Sequence, residues 1–320
     1  MKRNRSRLPA AAATLIALSL LAFANNGRAQ GSQSLDRAEL GRAQSAAATG
    51  PTDTTTGVED NHVVASPNDA DLGEQQILKK AESYQAFSAS VSVPFYWTSN
   101  VALTNSGEQS DLLVSPVAAL AYQPRINNRL SGFIGVREQM FYYERLTSFD
   151  FGSLDVEVAL TYTVPQLHNL ILHVGYDYNR LTTKNSFDDF FSNHVLTFSA
   201  ELPFRLSRSQ QLSIGVDTNI SVAADPQPPR RQDFEVYLGY SAQLTRAVFV
   251  GVTGRAVVHD YVQGDRLDVT EILGLSATYS ISKNITASAI GSFAANQSNH
   301  SVFDYQVGNV GGSVALSVRF

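Results

Sequence analysis

The sequence predicts an all-β fold: an antiparallel up-and-down transmembrane β-barrel of about 12 strands, preceded by an unstructured segment. Three observations carry that prediction. From residue 84 onward, segment after segment alternates apolar and polar residues, and a period of two gives each face of a strand its own character. The connections between these segments alternate between short turns and longer polar loops, as in a barrel whose strands cross a bilayer and return. Finally, the mean hydropathy is only −0.10, and no apolar run of helical-span length follows the N-terminal segment. That excludes a helical membrane protein and permits a barrel, whose lumen-facing residues dilute its hydropathy.

Residues 1–29 read as an export signal. Lys2, Arg3, Arg5 and Arg7 form a basic start, an apolar run follows from Ala10 to Ala24, and small residues allow cleavage after Ala29 or Ala24. There is no cysteine among the 320 residues, so neither a lipid anchor on cysteine nor a disulfide framework is available. Residues 30–83 are rich in Ala, Ser, Thr, Gly and acid without hydrophobic period, the composition of an unstructured periplasmic tail. Within it, 72–84 could form one short helix, and a plug in the lumen is the sharper alternative to a plain linker.

Residues 84–320 supply twelve candidate strands, most of them about nine to thirteen residues long, the length a tilted strand needs to cross the hydrocarbon. They are Phe87–Trp97, Leu112–Tyr122, Leu130–Tyr142, Leu154–Val164, Leu170–Tyr178, Val195–Phe204, Leu212–Val222, Phe234–Leu244, Val248–His259, Val269–Ile281, Ile285–Ala295 and Val307–Phe320. Val101–Leu103 could pair separately. Tight turns fall at Gln123–Arg129, Pro165–Asn169, Ser207–Gln210, Thr245-Arg246 and Ser282–Asn284, with longer loops at the opposite end. An even strand count places both termini on the periplasmic side.

Parity then assigns faces. Val156, Val158, Leu160 and Tyr162 alternate with Asp155, Glu157, Ala159 and Thr161, and the pattern repeats from Leu212 and from Phe234. Apolar residues face lipid and polar ones the lumen. On this parity outward aromatics gather at strand ends, Tyr122, Tyr162, Phe204, Tyr279 and Phe320 at one end and Phe95, Trp97, Tyr142, Tyr176, Tyr178, Phe234 and Phe293 at the other. Two such rings are interfacial girdles. Glu138 falls on the lipid-facing parity, which predicts a bulge or frame shift near Arg137.

The chain ends on Val314-Ala315-Leu316-Ser317-Val318-Arg319-Phe320, strictly alternating and closed by an aromatic. With the export signal, this resembles the superfamily of Gram-negative outer-membrane β-barrel proteins and singles out no one family. The resemblance implies a location in the bacterial outer membrane, contact with its lipid, and reading of Phe320 by the barrel-assembly machinery as an assembly signal.

The polar face lines the lumen with Arg137, Asp155, Glu157, His173, Asp177, Glu201, Asp217, Glu235 and Arg255, and Arg205 and Arg319 share the same parity. Acids outnumber bases there. One reading is a small porin-like diffusion channel for small polar or cationic solutes; the other is an ion-paired filling of a non-conducting structural or surface-interaction barrel. Phe187-Asp188-Asp189-Phe190-Phe191 could fold inward as a constriction or outward as a contact site. A lipid-modifying enzyme needs a serine and a histidine together with a third orienting group. His300-Ser301 and Ser192-Asn193-His194 are the nearest patterns and neither fits, so the chain reads as no enzyme, with no catalytic residue. No metal-ligand spacing appears and no cofactor is implied. A net charge of −5 argues against nucleic acid.

Overall fold

A computed structural model describes residues 32–42, 84–184 and 188–320. The export signal, and all of the possible helix over 72–84 except Tyr84, lie outside the described residues.

The strands are β1 (Phe87–Thr98), β2 (Asp111–Val114), β3 (Val117–Tyr122), β4 (Leu130–Tyr143), β5 (Phe151–Val164), β6 (Leu170–Thr183) and β7 (Asp189–Ser207). They continue with β8 (Gln210–Asp225), β9 (Arg231–Gln243), β10 (Val248–Tyr261), β11 (Leu267–Ser280), β12 (Ile285–Ser298) and β13 (Tyr305–Arg319). Consecutive strands pair antiparallel, except β2 with β3, and β13 returns to β1 from Ser88↔Arg319 to Thr98↔Asn309, closing the sheet. β2 and β3 both pair with β1 and β4. They are two pieces of one crossing strand, parted at Ser115-Pro116, where proline has no N–H to give the ladder. The barrel therefore has twelve staves, and each coincides to within a residue or overlaps with one of the twelve segments expected from the sequence.

Turn chemistry explains the short end. Asn127 Oδ1 accepts from the N–H groups of Arg129 and Leu130 at 2.8 and 3.0 Å. Thr245 Oγ1 and Ser282 Oγ do the same for the residues that restart β10 and β12. His168 and Asn169 take left-handed backbone angles (φ 56° and 59°), which the short Pro165–Asn169 connection requires.

The outward face is apolar as parity predicts, with Val91, Phe95, Trp97, Leu120, Val158, Leu160, Ile214, Val236, Leu273, Val310 and Leu316 among its exposed side chains. Burying a row like this in hydrocarbon, with every ladder bond closed, is the physical solution a barrel offers. Three details differ from expectation. β4 pairs with β5 in unbroken register through Arg137↔Asp155 and Glu138↔Leu154, so there is no bulge. Glu138 keeps its outward parity and feels the Arg180 guanidinium across β5. The register shifts fall instead at Leu181/Thr182, His194/Val195 and Arg205/Ser207. Finally, Val101–Leu103 forms no strand: the 99–110 connection dips inward and buries both residues.

Candidate functional site

The largest departure from the expected unstructured tail is a helix, α1, over residues 32–42, lodged inside the long-loop half of the lumen. Leu35, Asp36, Arg37, Ala38 and Glu39 are helix-compatible, but eleven residues alone are marginal in water. Its stability comes from its seat. Leu35 and Ala38 pack with Tyr96, Val101, Leu113, Phe141, Tyr143, Phe151, Leu181, Phe191 and Ile290. Leu40 packs with Leu103, Ala294, Tyr305 and Val307. Gly41 approaches the wall so closely that a Cβ there would sit 2.7 Å from Phe141 Cε1. Twelve staves about 4.8 Å apart and tilted about 40° give a backbone radius of roughly 12 Å. A helix about 10–12 Å across with its side chains fills what the inward side chains leave. The polar side chains line the short-turn half of the lumen, whereas this half is apolar and aromatic where it receives α1.

Charge fixes the helix as well. Arg231, on β9, is 3% exposed and faces Asp36 and Glu39 of α1 together with Asp233 at 2.9 Å. From there a hydrogen-bonded chain runs along the wall. Asp233 meets His259 at 2.6 Å, His259 meets Thr270 at 3.1 Å, and Thr270 donates to Asn296 at 2.7 Å. Asn296 donates to Asp268, which Arg266 grips through two nitrogens, and Arg266 reaches back to Ser32 at 3.4 Å. Arg37 donates to the Val101 carbonyl at 3.0 Å and lies over the Phe149 ring at 4.9 Å. Burial depresses the Arg37 guanidinium, against the pull of Tyr143 and Asp36. Burial raises the Glu39 carboxyl against the opposing charge of Arg231. Burial also opposes the charge on Arg42, but Asp155 and Glu39 beside it hold it above its ordinary value.

Beneath α1 lies a cavity of about 630 Å³, bordered by Asp36, Glu39 and Arg42 of the helix and reaching Ser88 and Gln123 near the short-turn end. Arg137, Asp155, Glu157, His173, Asp177, Glu201, Asp217, Glu235 and Arg255 all border it. Arg205 and Arg319 do not; both are exposed at the short-turn rim. Arg255 pairs with Glu235 at 2.8 Å, His173 with Glu157 at 3.4 Å, and Tyr237 donates to Glu201 at 2.7 Å. Tyr237 lies flat over Gly215, where a Cβ would meet its ring at 2.3 Å. Nine acids and four arginines share this one cavity.

The Asn179–Asn193 segment is mostly strand, with β6 running to Thr183 and β7 starting at Asp189. Phe191 folds inward and is fully buried, whereas Asp189 pairs with Arg180 near the rim. Phe320 sits on the closing seam. It exchanges two backbone hydrogen bonds with Phe87 (3.1 and 3.0 Å), and their rings stack at 5.9 Å.

No protein-family model matches the sequence, and no curated protein does. Solved structures do. An outer membrane channel from Pseudomonas putida F1 shares 10% identity over 74% of this chain and 98% of that one, with a TM-score of 0.52. The translocator domain of the autotransporter NalP from Neisseria meningitidis shares 10% over 75% and 90%, TM-score 0.41. An anion-selective porin from Comamonas acidovorans shares 8% over 73% and 99%, TM-score 0.39. The fold is that of the bacterial outer-membrane β-barrel proteins.

Proposed function

We propose that the chain is a small porin-like channel of the bacterial outer membrane that prefers cations and small polar solutes. Its short turns face the periplasm, and α1 stoppers its long-loop end. The observation that carries this reading is the cavity beneath α1, where nine carboxylates outnumber four guanidinium groups. A low-dielectric wall lined by one sign of charge concentrates counter-ions. The fit of α1 against the aromatic half of the lumen, with Ala38 wholly buried, favours a second reading, a permanently closed structural barrel. Conductance of the purified protein in a planar bilayer under a KCl gradient, with and without α1, separates the two.

A further inference from the structure

Arg42 is the last described residue of α1 and, among the described residues, the only basic side chain the helix extends into the acidic cavity. It forms an ion pair with Asp155. The wall at that point is built from one row of cross-strand neighbours, Arg137↔Asp155↔Asn179↔Asn193. Asn179 donates to Asp155 at 2.6 Å and to Ser153 at 3.1 Å. Its own Oδ1 is buried and, among the described residues, accepts no hydrogen bond. One row toward the short turns, Glu157 and Asp177 stand directly opposite each other on β5 and β6, and like charges so placed repel unless a cation stands between or beside them. His173 touches Glu157, and Asp177 lies within the electrostatic reach of Arg42.

These features describe a receptor for a planar or tetrahedral nitrogen cation. Carboxylates accept its charge-assisted hydrogen bonds, and the Asn179 oxygen is an acceptor still without a donor. The chain fills that receptor with a guanidinium of its own.

We propose that Asp155, Asp177 and Asn179 form a binding site for guanidinium- and ammonium-bearing solutes, that Arg42 occupies it as a built-in ligand, and that such solutes compete with Arg42 and so loosen α1. The proposal rests on the channel reading and adds to it the solute class and the coupling between solute and stopper. Coupling of this kind is reciprocal: whatever the solute gains from the site, α1 loses. A tethered ligand competes at an effective concentration on the order of millimolar, so the free solute acts in the millimolar range.

The chain has no cysteine, so Ala38→Cys introduces a single thiol at a wholly buried position of α1. Its modification by a maleimide is measured on the full chain in detergent, in rising ethylguanidinium chloride and in sodium chloride of equal ionic strength. The expected result is a labelling rate several-fold faster in about 10–50 mM ethylguanidinium than in sodium chloride. That difference should vanish when Asp155→Asn and Asp177→Asn are added. Equal rates in the two salts overturn the proposal, as does a response that survives in the double variant. Labelling needs no current. A responsive thiol with a silent bilayer removes the channel reading and leaves the site; a conducting bilayer with an unresponsive thiol does the reverse.

Discussion

Arg231→Met is the sharpest perturbation of the stopper, because it removes one charge and leaves a side chain of similar reach. In the intact protein Arg231 is buried against Asp36, Glu39 and Asp233. Taking one partner from a buried ion pair costs about 3–5 kcal/mol, since the remaining charge stays desolvated. Only part of that cost falls on docking. Asp233 belongs to the wall and keeps His259 whether or not α1 is seated, while Asp36 and Glu39 regain water when the helix leaves. The Glu39 side chain is a third exposed, which places the loss near the lower end, about 3 kcal/mol or roughly a hundredfold in the docked-to-undocked ratio. Amide hydrogen exchange over 33–42 reads this ratio, because an undocked helix this short cannot protect its own amides. Protection there should fall about a hundredfold while β5 to β13 stay protected. Unchanged protection over 33–42 would mean that Arg231 does not anchor α1.

Two further outcomes follow from the wall and the seam. Replacing Glu157 and Glu235 together by Gln takes the formal charge bordering the cavity from −5 to −3 with histidines neutral; the reversal potential in a KCl gradient should shift toward zero, and an unshifted value would detach selectivity from these two carboxylates. Phe320→Ala, or one residue added after Phe320, should reduce membrane insertion far more than the outward Leu212→Ala, as read by the heat-sensitive gel mobility of a closed barrel. Equal insertion of the three variants would remove the assembly role.

Much of the fold was legible because a barrel writes itself locally. The alternation around Val156–Tyr162 fixes faces, and Asn127, Thr245 and Ser282 announce tight turns through their own side-chain acceptors. The site was legible in half. Asp155, Glu157, Asp177 and Glu235 share inward parity with no apolar competitor, so parity alone brings them to one lumen. The other half was obscured because the expected segments stop short of the long-loop end of the barrel. Extending β5 back to Phe151, β6 on to Leu181 and β7 back to Phe191 keeps the inward phase and replaces acids with large apolar side chains. An apolar inward face on neighbouring strands implies an occupant. The occupant was hidden because α1 has too few apolar residues to show a period: Leu35, Ala38 and Leu40 suffice only because the barrel surrounds the helix, and its charges are answered by Arg231 and Asp155 from strands far away in sequence.

In the proposed function an acidic, cation-preferring passage runs through the barrel and α1 closes it. The most direct test is the current through single proteins in a planar bilayer under a KCl gradient, comparing the full chain with a chain lacking residues 32–42. Brief, infrequent openings are expected for the full chain and sustained openings for the shortened one, with a reversal potential of the sign that marks potassium as the carrier. Equal currents from both chains, or a shortened chain that is silent or carries chloride, would contradict it.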